Sequence, residues 1–91
     1  MLKVHMSNGT KIKEVKIGKY TFYRVLIGSD NEQDISNIYF ELINSYINFS
    51  TINIKPIVKK DNVEVQQIAV TADFEEPLQN VLKLVTEYNV K

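Results

Sequence analysis

Hydrophobic residues recur with two different periods along this chain, and the two periods alternate in a definite order. Apolar and polar residues alternate in segments typical of β-strands, which are residues 2–6, 11–17, 20–27, 52–60 and 63–71. Apolar residues at helical spacing run over residues 31–48 and 73–89. The order β-β-β-α-β-β-α predicts an α+β two-layer sandwich, in which two helices lie on one face of a mainly antiparallel sheet. The length of 91 residues predicts one domain over residues 1–91.

Turn residues separate the predicted strands. Asn8-Gly9 tolerates the positive φ angles of a two-residue hairpin turn, so we expect it to pair the first strand with the second. Gly18-Lys19 and Asp61-Asn62 are turn candidates before the third and fifth strands. Pro56 lacks the backbone N–H that a central strand needs, which predicts an edge position for the fourth strand.

Both predicted helices begin with residues that favour a helix N-terminus. Ser29 and Glu32 have the spacing of a capping box, in which each side chain accepts a hydrogen bond from a free backbone N–H. Residues 73–77 place acids and a proline in the first turn of the second helix, where both are favoured.

The second half of the chain repeats the pattern of the first at an offset of 43 residues. Aligning Val25–Leu42 with Ile68–Val85 gives three identical positions and seven that pair apolar with apolar. One interpretation is a duplicated ββα unit with pseudo-two-fold symmetry. The other is that any two strand–cap–helix segments that cover one core share this spacing.

The third and fifth strands carry apolar residues on both of their sides. Because side chains alternate along a strand, the repeat assigns one set to the helix layer: Thr21, Tyr23, Val25, Ile27, Gln66, Ile68 and Val70. The apolar residues of the opposite side are then Tyr20, Phe22, Leu26, Val63 and Val65. Two helices cover only one side of such a sheet, and soluble monomers rarely expose a contiguous apolar patch. We therefore expect the second side to meet a partner, unless a strongly coiled sheet closes over it.

Composition excludes several classes of protein. The chain has no cysteine, and so neither disulfides, nor a thiolate zinc site, nor a thiol nucleophile. Apolar runs reach only three residues, which predicts no membrane span, and the N-terminal residues lack a run of signal-peptide length, which predicts a cytoplasmic protein. Ile, Lys, Asn, Tyr and Phe make up 39 of the 91 residues, which indicates AT-rich coding, as in low-GC bacteria, phages and mobile elements.

Charge is balanced overall but unevenly distributed. Residues 1–28 carry six basic side chains and one acid, whereas residues 29–50 carry four acids and no base. Lysines and Arg24 interleaved with rings in strands two and three could bind single-stranded nucleic acid. Lysines on exposed strands also discourage edge pairing, and nucleic-acid sites usually use more than the single arginine of this chain.

Few side chains could carry catalysis or bind a metal. His5 is the only histidine, with no serine or aspartate at a diagnostic spacing. Acids alternate over residues 30–34 and recur at Glu41, as in the calcium loop of an EF-hand, but Ile35 occupies the position that needs glycine. These acids are better explained as a helix N-terminus. We expect no enzyme, no metal, no cofactor and no small-molecule substrate.

These observations predict a small non-catalytic protein-interaction module, an inhibitor or adaptor of the kind that phages and mobile elements encode. Its expected partner is another protein, a second copy of the chain, or both. The residues expected to bind it are Tyr20, Phe22, Arg24, Val63 and Val65, with Lys11, Lys13 and Lys16 as rim charges. The alternatives are single-stranded nucleic-acid binding through the same strands and a structural subunit of a virion-type assembly.

Overall fold

Six antiparallel strands form one sheet, and two helices pack against it, in a computed structural model that describes residues 1–90. The elements are β1 (Lys3–Val4), β2 (Lys13–Ile17), β3 (Tyr20–Ser29), α1 (Glu32–Ile43), β4 (Thr51–Ile54), β5 (Val58–Lys60), β6 (Val63–Ala72) and α2 (Glu75–Asn89). The predicted α+β class is confirmed, and so is the predicted order, with the fourth predicted strand divided into β4 and β5.

The sheet is four strands wide because the short strands share its two edges. β3 and β6 pair along the centre, with Val25 opposite Val70. β1 and β2 lie end to end on the outer edge of β3, and β4 and β5 lie end to end on the outer edge of β6. Pro56 lies in the break between β4 and β5, so the predicted edge position of this segment is confirmed.

The predicted pairing between the first two strands is wrong, although the turn between them forms. Asn8 and Gly9 have positive φ angles of 52° and 77°, and the flanking Ser7 and Thr10 form a bridge. β1 and β2 nevertheless pair with β3 and not with each other. The edge of β3 is long enough for both β1 and β2 to form backbone hydrogen bonds with it. The Asn8-Gly9 turn therefore lies in the loop that connects them along this edge.

The 43-residue repeat is present in the folded chain. β3 begins at Tyr20 and β6 at Val63, while α1 begins at Glu32 and α2 at Glu75. The two halves therefore share one ββα arrangement, and this agrees equally with a duplicated unit and with two segments whose spacing is set by a common core.

The register of the hairpins obeys the same offset. Ile17 pairs with Tyr20 across one two-residue turn, and Lys60 pairs with Val63 across the other. At the centre of the sheet Leu26 lies opposite Ala69, which is its equivalent in the other half. The pseudo-two-fold axis therefore passes between these two residues.

The hydrophobic core lies between the helices and one side of the sheet. Its buried residues occur in equivalent pairs from the two halves: Val25 with Ile68, Ile27 with Val70, Ile35 with Leu78, Ile38 with Val81, and Leu42 with Val85. The predicted helix-facing side of β3 and β6 is confirmed by this burial. Both helices pack on that side, so the helix layer covers one face of the sheet only.

The first helix is shorter than its apolar spacing predicts. α1 ends at Ile43, and Tyr46, which lies within the helix predicted over residues 31–48, is fully exposed. The hydroxyl and the backbone N–H of Ser45 both donate hydrogen bonds to the Leu42 carbonyl oxygen. This local bonding closes the last turn and competes with a further turn of helix.

The predicted capping box is also wrong, because the chain places Ser29 in β3. The N-cap is Asn31, whose side-chain oxygen accepts a hydrogen bond from the Gln33 backbone N–H at 3.0 Å. Ser29 is buried, and its hydroxyl accepts from the Asn31 N–H and donates to Asp34. Ser29 therefore joins the end of β3 to the first turn of α1.

A polar cluster around Asp34 joins four parts of the chain. The Asp34 carboxylate accepts hydrogen bonds from the Tyr88 hydroxyl at 2.8 Å, the Ser29 hydroxyl at 2.9 Å and the N-terminal amine of Met1 at 2.8 Å. The Asn37 amide donates to the Tyr88 hydroxyl. The first residue, the end of β3, the start of α1 and the end of α2 are thereby held together.

The Asp34 cluster predicts a specific pH dependence of stability. Hydrogen bonds from the N-terminal amine, then from Tyr88 and Ser29, hold the pKa of the Asp34 carboxyl below its usual value near 3.8. A lowered pKa stabilises the fold above the unfolded-state pKa and ceases to do so as pH falls through the folded-state pKa. Urea unfolding should therefore show an advantage of the wild type over Asp34→Asn that is constant from about pH 7 to pH 5 and shrinks below about pH 4.

The exposed Asp30 supplies the control for this measurement, because it lies just before the same helix. Asp30→Asn should change the free energy of unfolding by less than about 0.5 kcal/mol at neutral pH. An advantage over Asp34→Asn that persists undiminished at pH 2 would contradict this account.

Candidate partner-binding face

The side of the sheet that the helices leave uncovered is here named the open face. Residues directly opposite each other in neighbouring strands share a face, so the strand registers define its members. They are Lys3 in β1, Lys13, Val15 and Ile17 in β2, Tyr20, Phe22, Arg24, Leu26 and Gly28 in β3, Thr51 and Asn53 in β4, Val58 and Lys60 in β5, and Val63, Val65, Gln67, Ala69 and Thr71 in β6.

The open face exposes apolar side chains to solvent. Tyr20 is 71% exposed and Val58 is 54% exposed, and Phe22, Leu26 and Val65 are partly exposed. None of these five residues belongs to the buried core. The twist of the sheet does not close over them, so the expected uncovered apolar face is present.

The edge strands add apolar residues to this face that the sequence analysis did not include. Val15 lies opposite Phe22, Ile17 lies opposite Tyr20, and Val58 lies opposite Val65. The two-residue turn at Gly18-Lys19 is the sequence feature from which the first two pairs could have been predicted. Such a turn places the residues on either side of it opposite each other, on the same face.

The open face ends in two hairpin arms that project from opposite ends of the sheet. The β2–β3 hairpin extends beyond the pair formed by Tyr23 and Ala72, and the β5–β6 hairpin extends beyond the pair formed by Ser29 and Gln66. The arms point in opposite directions because β3 and β6 are antiparallel. The rings of Tyr20 and Phe22 lie together on the first arm, with centroids 6.4 Å apart.

The charges of the strands are sorted between the two sides of the sheet. Lys3, Lys13, Arg24 and Lys60 lie on the open face, and no described strand contributes an acid to it. The two acids of the strands, Glu14 and Glu64, have registers that place them on the other side. The open face is therefore apolar and basic, whereas the helices are predominantly acidic.

Two charged pairs show how different the sides are. On the open face, Lys13 lies opposite Arg24, which puts like charges side by side. On the other side, Lys59 lies opposite Glu64, which puts opposite charges side by side. Arg24 donates one hydrogen bond, from Nε to the Thr71 hydroxyl at 3.2 Å. The charge of Lys13 and Arg24 is thus not compensated by any acid of the sheet face that they share.

The structure divides the predicted binding residues. Tyr20, Phe22, Arg24, Lys13, Val63 and Val65 share the open face. Lys16 lies opposite Thr21 and therefore faces the other side of the sheet, so its predicted place on the rim of the open face is wrong. Lys11 is exposed on the bend that precedes β2 and lies outside the ladder. The reason is the alternation along β2, which separates residues 13 and 16.

A concavity of about 640 Å³ opens at one end of this face, beside Gly28. Lys3 and His5 line it on one side, and Lys60 and Val65 of the second arm line it on the other. A Cβ atom at Gly28 would lie 3.6 Å from the Val65 side chain, in ordinary van der Waals contact. Because glycine has no Cβ atom, this space at the bottom of the concavity stays empty. Asp30 is the one acid at its border.

The remaining candidate chemistry is not brought together by the fold. His5 donates its backbone N–H to the Leu26 carbonyl oxygen and is exposed. Within residues 1–90, no group of three or more His, Asp or Glu side chains could hold a metal ion. Of the acids with calcium-loop spacing, those at positions 30–34 lie at the start of α1, where Asn31 caps the helix, and Glu41 lies near its end. Neither helix of the described chain has the length and apolarity needed to cross a membrane.

Comparison with models of known protein families, with curated proteins and with solved structures finds no match for this chain.

The like-charged pair on the open face predicts a substitution that stabilises the protein. Lys13→Glu would replace repulsion from Arg24 by attraction, and cross-strand pairs of this kind differ by about 0.5 kcal/mol. We expect chemical unfolding to show a gain of that size at low salt, which shrinks in 1 M salt.

Lys16→Glu is the matched control, because it makes the same charge change in the same strand but faces the other side, opposite Thr21. It should give no gain. Equal effects of the two substitutions would show that the strand register does not sort these charges.

Proposed function

We propose that this protein is a non-catalytic interaction module that binds a protein partner through the open face and acts as an inhibitor or adaptor. The observation that carries the proposal is the exposure of apolar side chains, among them Tyr20, Val58 and Val63, on a side of the sheet that no helix covers. Burial of apolar area contributes about 25 cal/mol per Å², so a partner that covers this face gains several kcal/mol.

The size of the face supports the proposal. The molecule measures 39 × 28 × 22 Å, and a typical stable interface buries roughly 800 Å² on each partner. One side of the sheet is large enough for such a contact. Its composition also fits, because apolar side chains lie on both arms and at Leu26 and Ala69 between them, while lysines lie at the edges in β1, β2 and β5.

Binding of single-stranded nucleic acid has weaker support from the same face. Cations lie on the correct side, but only Tyr20 and Phe22 offer rings for stacking, and both lie on one arm. The rest of the apolar surface is aliphatic, with Ile17, Val58 and Val63 as its most exposed members. Aliphatic side chains pack against other apolar side chains and supply no stacking platform for bases.

Site-specific photo-crosslinking in the cells that produce the protein tests the proposed function. A photoreactive phenylalanine analogue at position 20, on the open face, should crosslink to a discrete partner protein. Phe40 provides the matched control position, since it lies on α1 in the helix layer and is 59% exposed, compared with 71% for Tyr20.

The expected result is an adduct from position 20 that is absent from position 40 and is lost when Val65→Asp is added on the same face. Identical adducts from both positions, or none from position 20, would contradict binding through the open face.

A further inference from the structure

We infer that the partner presents an acidic segment with an aliphatic anchor to the open face, and that the partner is not a second copy of this chain. This inference rests on the proposed function and specifies its partner. Three observations support it: the open face carries cations, the acids of the strands lie on the other side of the sheet, and a concavity lies beside Gly28.

The first step is the uncompensated charge of the face. Lys13 and Arg24 lie opposite each other, and Lys3 and Lys60 lie towards the other end, with no acid among the open-face positions of the described strands. Like charges directly opposite each other in a sheet destabilise it. An acidic partner removes this repulsion on binding, which makes negative charge the complementary feature.

The second step excludes a symmetric dimer through this face. In a two-fold interface the same surface of each copy meets the other, so the cations of one copy would meet only apolar, neutral or cationic positions and no acid of the partner's strands. Juxtaposed like charges across an interface cost several kcal/mol. The acids of this chain lie mainly on the helices, at α1 and α2, on the other side of the molecule.

The third step concerns the anchor. The concavity beside Gly28 is bordered by Val63 and Val65, which offer an apolar wall, and by Lys3 and Lys60, whose two cations outnumber the single acid of the border, Asp30. An aliphatic side chain fits the wall, and carboxylates on neighbouring residues of the same segment reach the lysines. The recognised segment is therefore a short peptide with acidic residues flanking an aliphatic one.

The test uses a library of random peptides displayed on phage and selected against the immobilised protein in physiological salt. Enriched sequences should combine Asp or Glu with Leu, Ile or Val. A synthetic peptide of the enriched sequence is then titrated against defined variants by fluorescence anisotropy.

The variants are two double charge reversals that differ only in the side of the sheet they change. Lys13→Glu with Lys60→Glu alters the open face, and Lys16→Glu with Lys59→Glu alters the other side of the same two strands. The first should weaken peptide binding by at least about tenfold and the second by less than about twofold. All four lysines are exposed, and a thermal melt verifies folding.

Two further results separate failure of the inference from failure of the proposed function. Enriched peptides that are basic or uncharged, and that lose binding with Tyr20→Asp or Val65→Asp, would overturn the acidic partner and leave the open face as a protein-binding surface. Peptides that bind Tyr20→Asp and Val65→Asp as well as the wild type, or no enrichment at all, would overturn both.

The other occupants are tested directly. A labelled 20-nucleotide oligo-dT should not bind at physiological salt, and sedimentation equilibrium should give a monomer at high protein concentration. Oligo-dT binding that the Lys13→Glu with Lys60→Glu variant abolishes, or a dimer that Val65→Asp dissociates, would contradict the inference.

Discussion

The side chains of α1 and α2 reach only one side of the sheet, and this limit decides how every strand residue is used. On the covered side, β3 and β6 supply residues with no exposure at all, such as Val25 and Val70. On the other side, the same strands present rings, valines and cations to solvent. The fold is stabilised by the first set, which leaves the second set available for a partner.

Both halves of the two-fold repeat contribute to the open face, but their contributions are not identical. Each half contributes one central strand, one helix and one hairpin arm, and the antiparallel centre sends the arms to opposite ends. The polar cluster around Asp34 has no counterpart centred on the second half, because Pro77 occupies the position equivalent to Asp34. Both rings lie on the first arm, and the second arm has only aliphatic residues in their place, so a partner meets an asymmetric surface.

Period-two spacing in β3 and β6 was sufficient to predict which side chains enter the core, because both strands are long and their faces differ in polarity. Local sequence patterns were insufficient where a segment distant in the sequence provides the pairing partner. The Asn8-Gly9 turn forms, yet β1 before the turn and β2 after it both pair with β3 and not with each other. The contact of Tyr88 with Asp34 spans 54 positions, and no spacing in the sequence indicates it. Predicting which residues of the edge strands lie on the open face required the strand register, which is determined by the geometry of the hairpin turns.

A comparison of two aspartates in β6 tests the one-sided helix layer most directly. Val65 and Val70 are the same residue in the same strand, but Val65 faces outward and Val70 is 0% exposed in the core. Urea unfolding should show that Val65→Asp costs about 1 kcal/mol, whereas Val70→Asp costs more than about 4 kcal/mol or prevents folding. Equal, large losses from both would mean that the outward side is also part of the core, and would contradict the account.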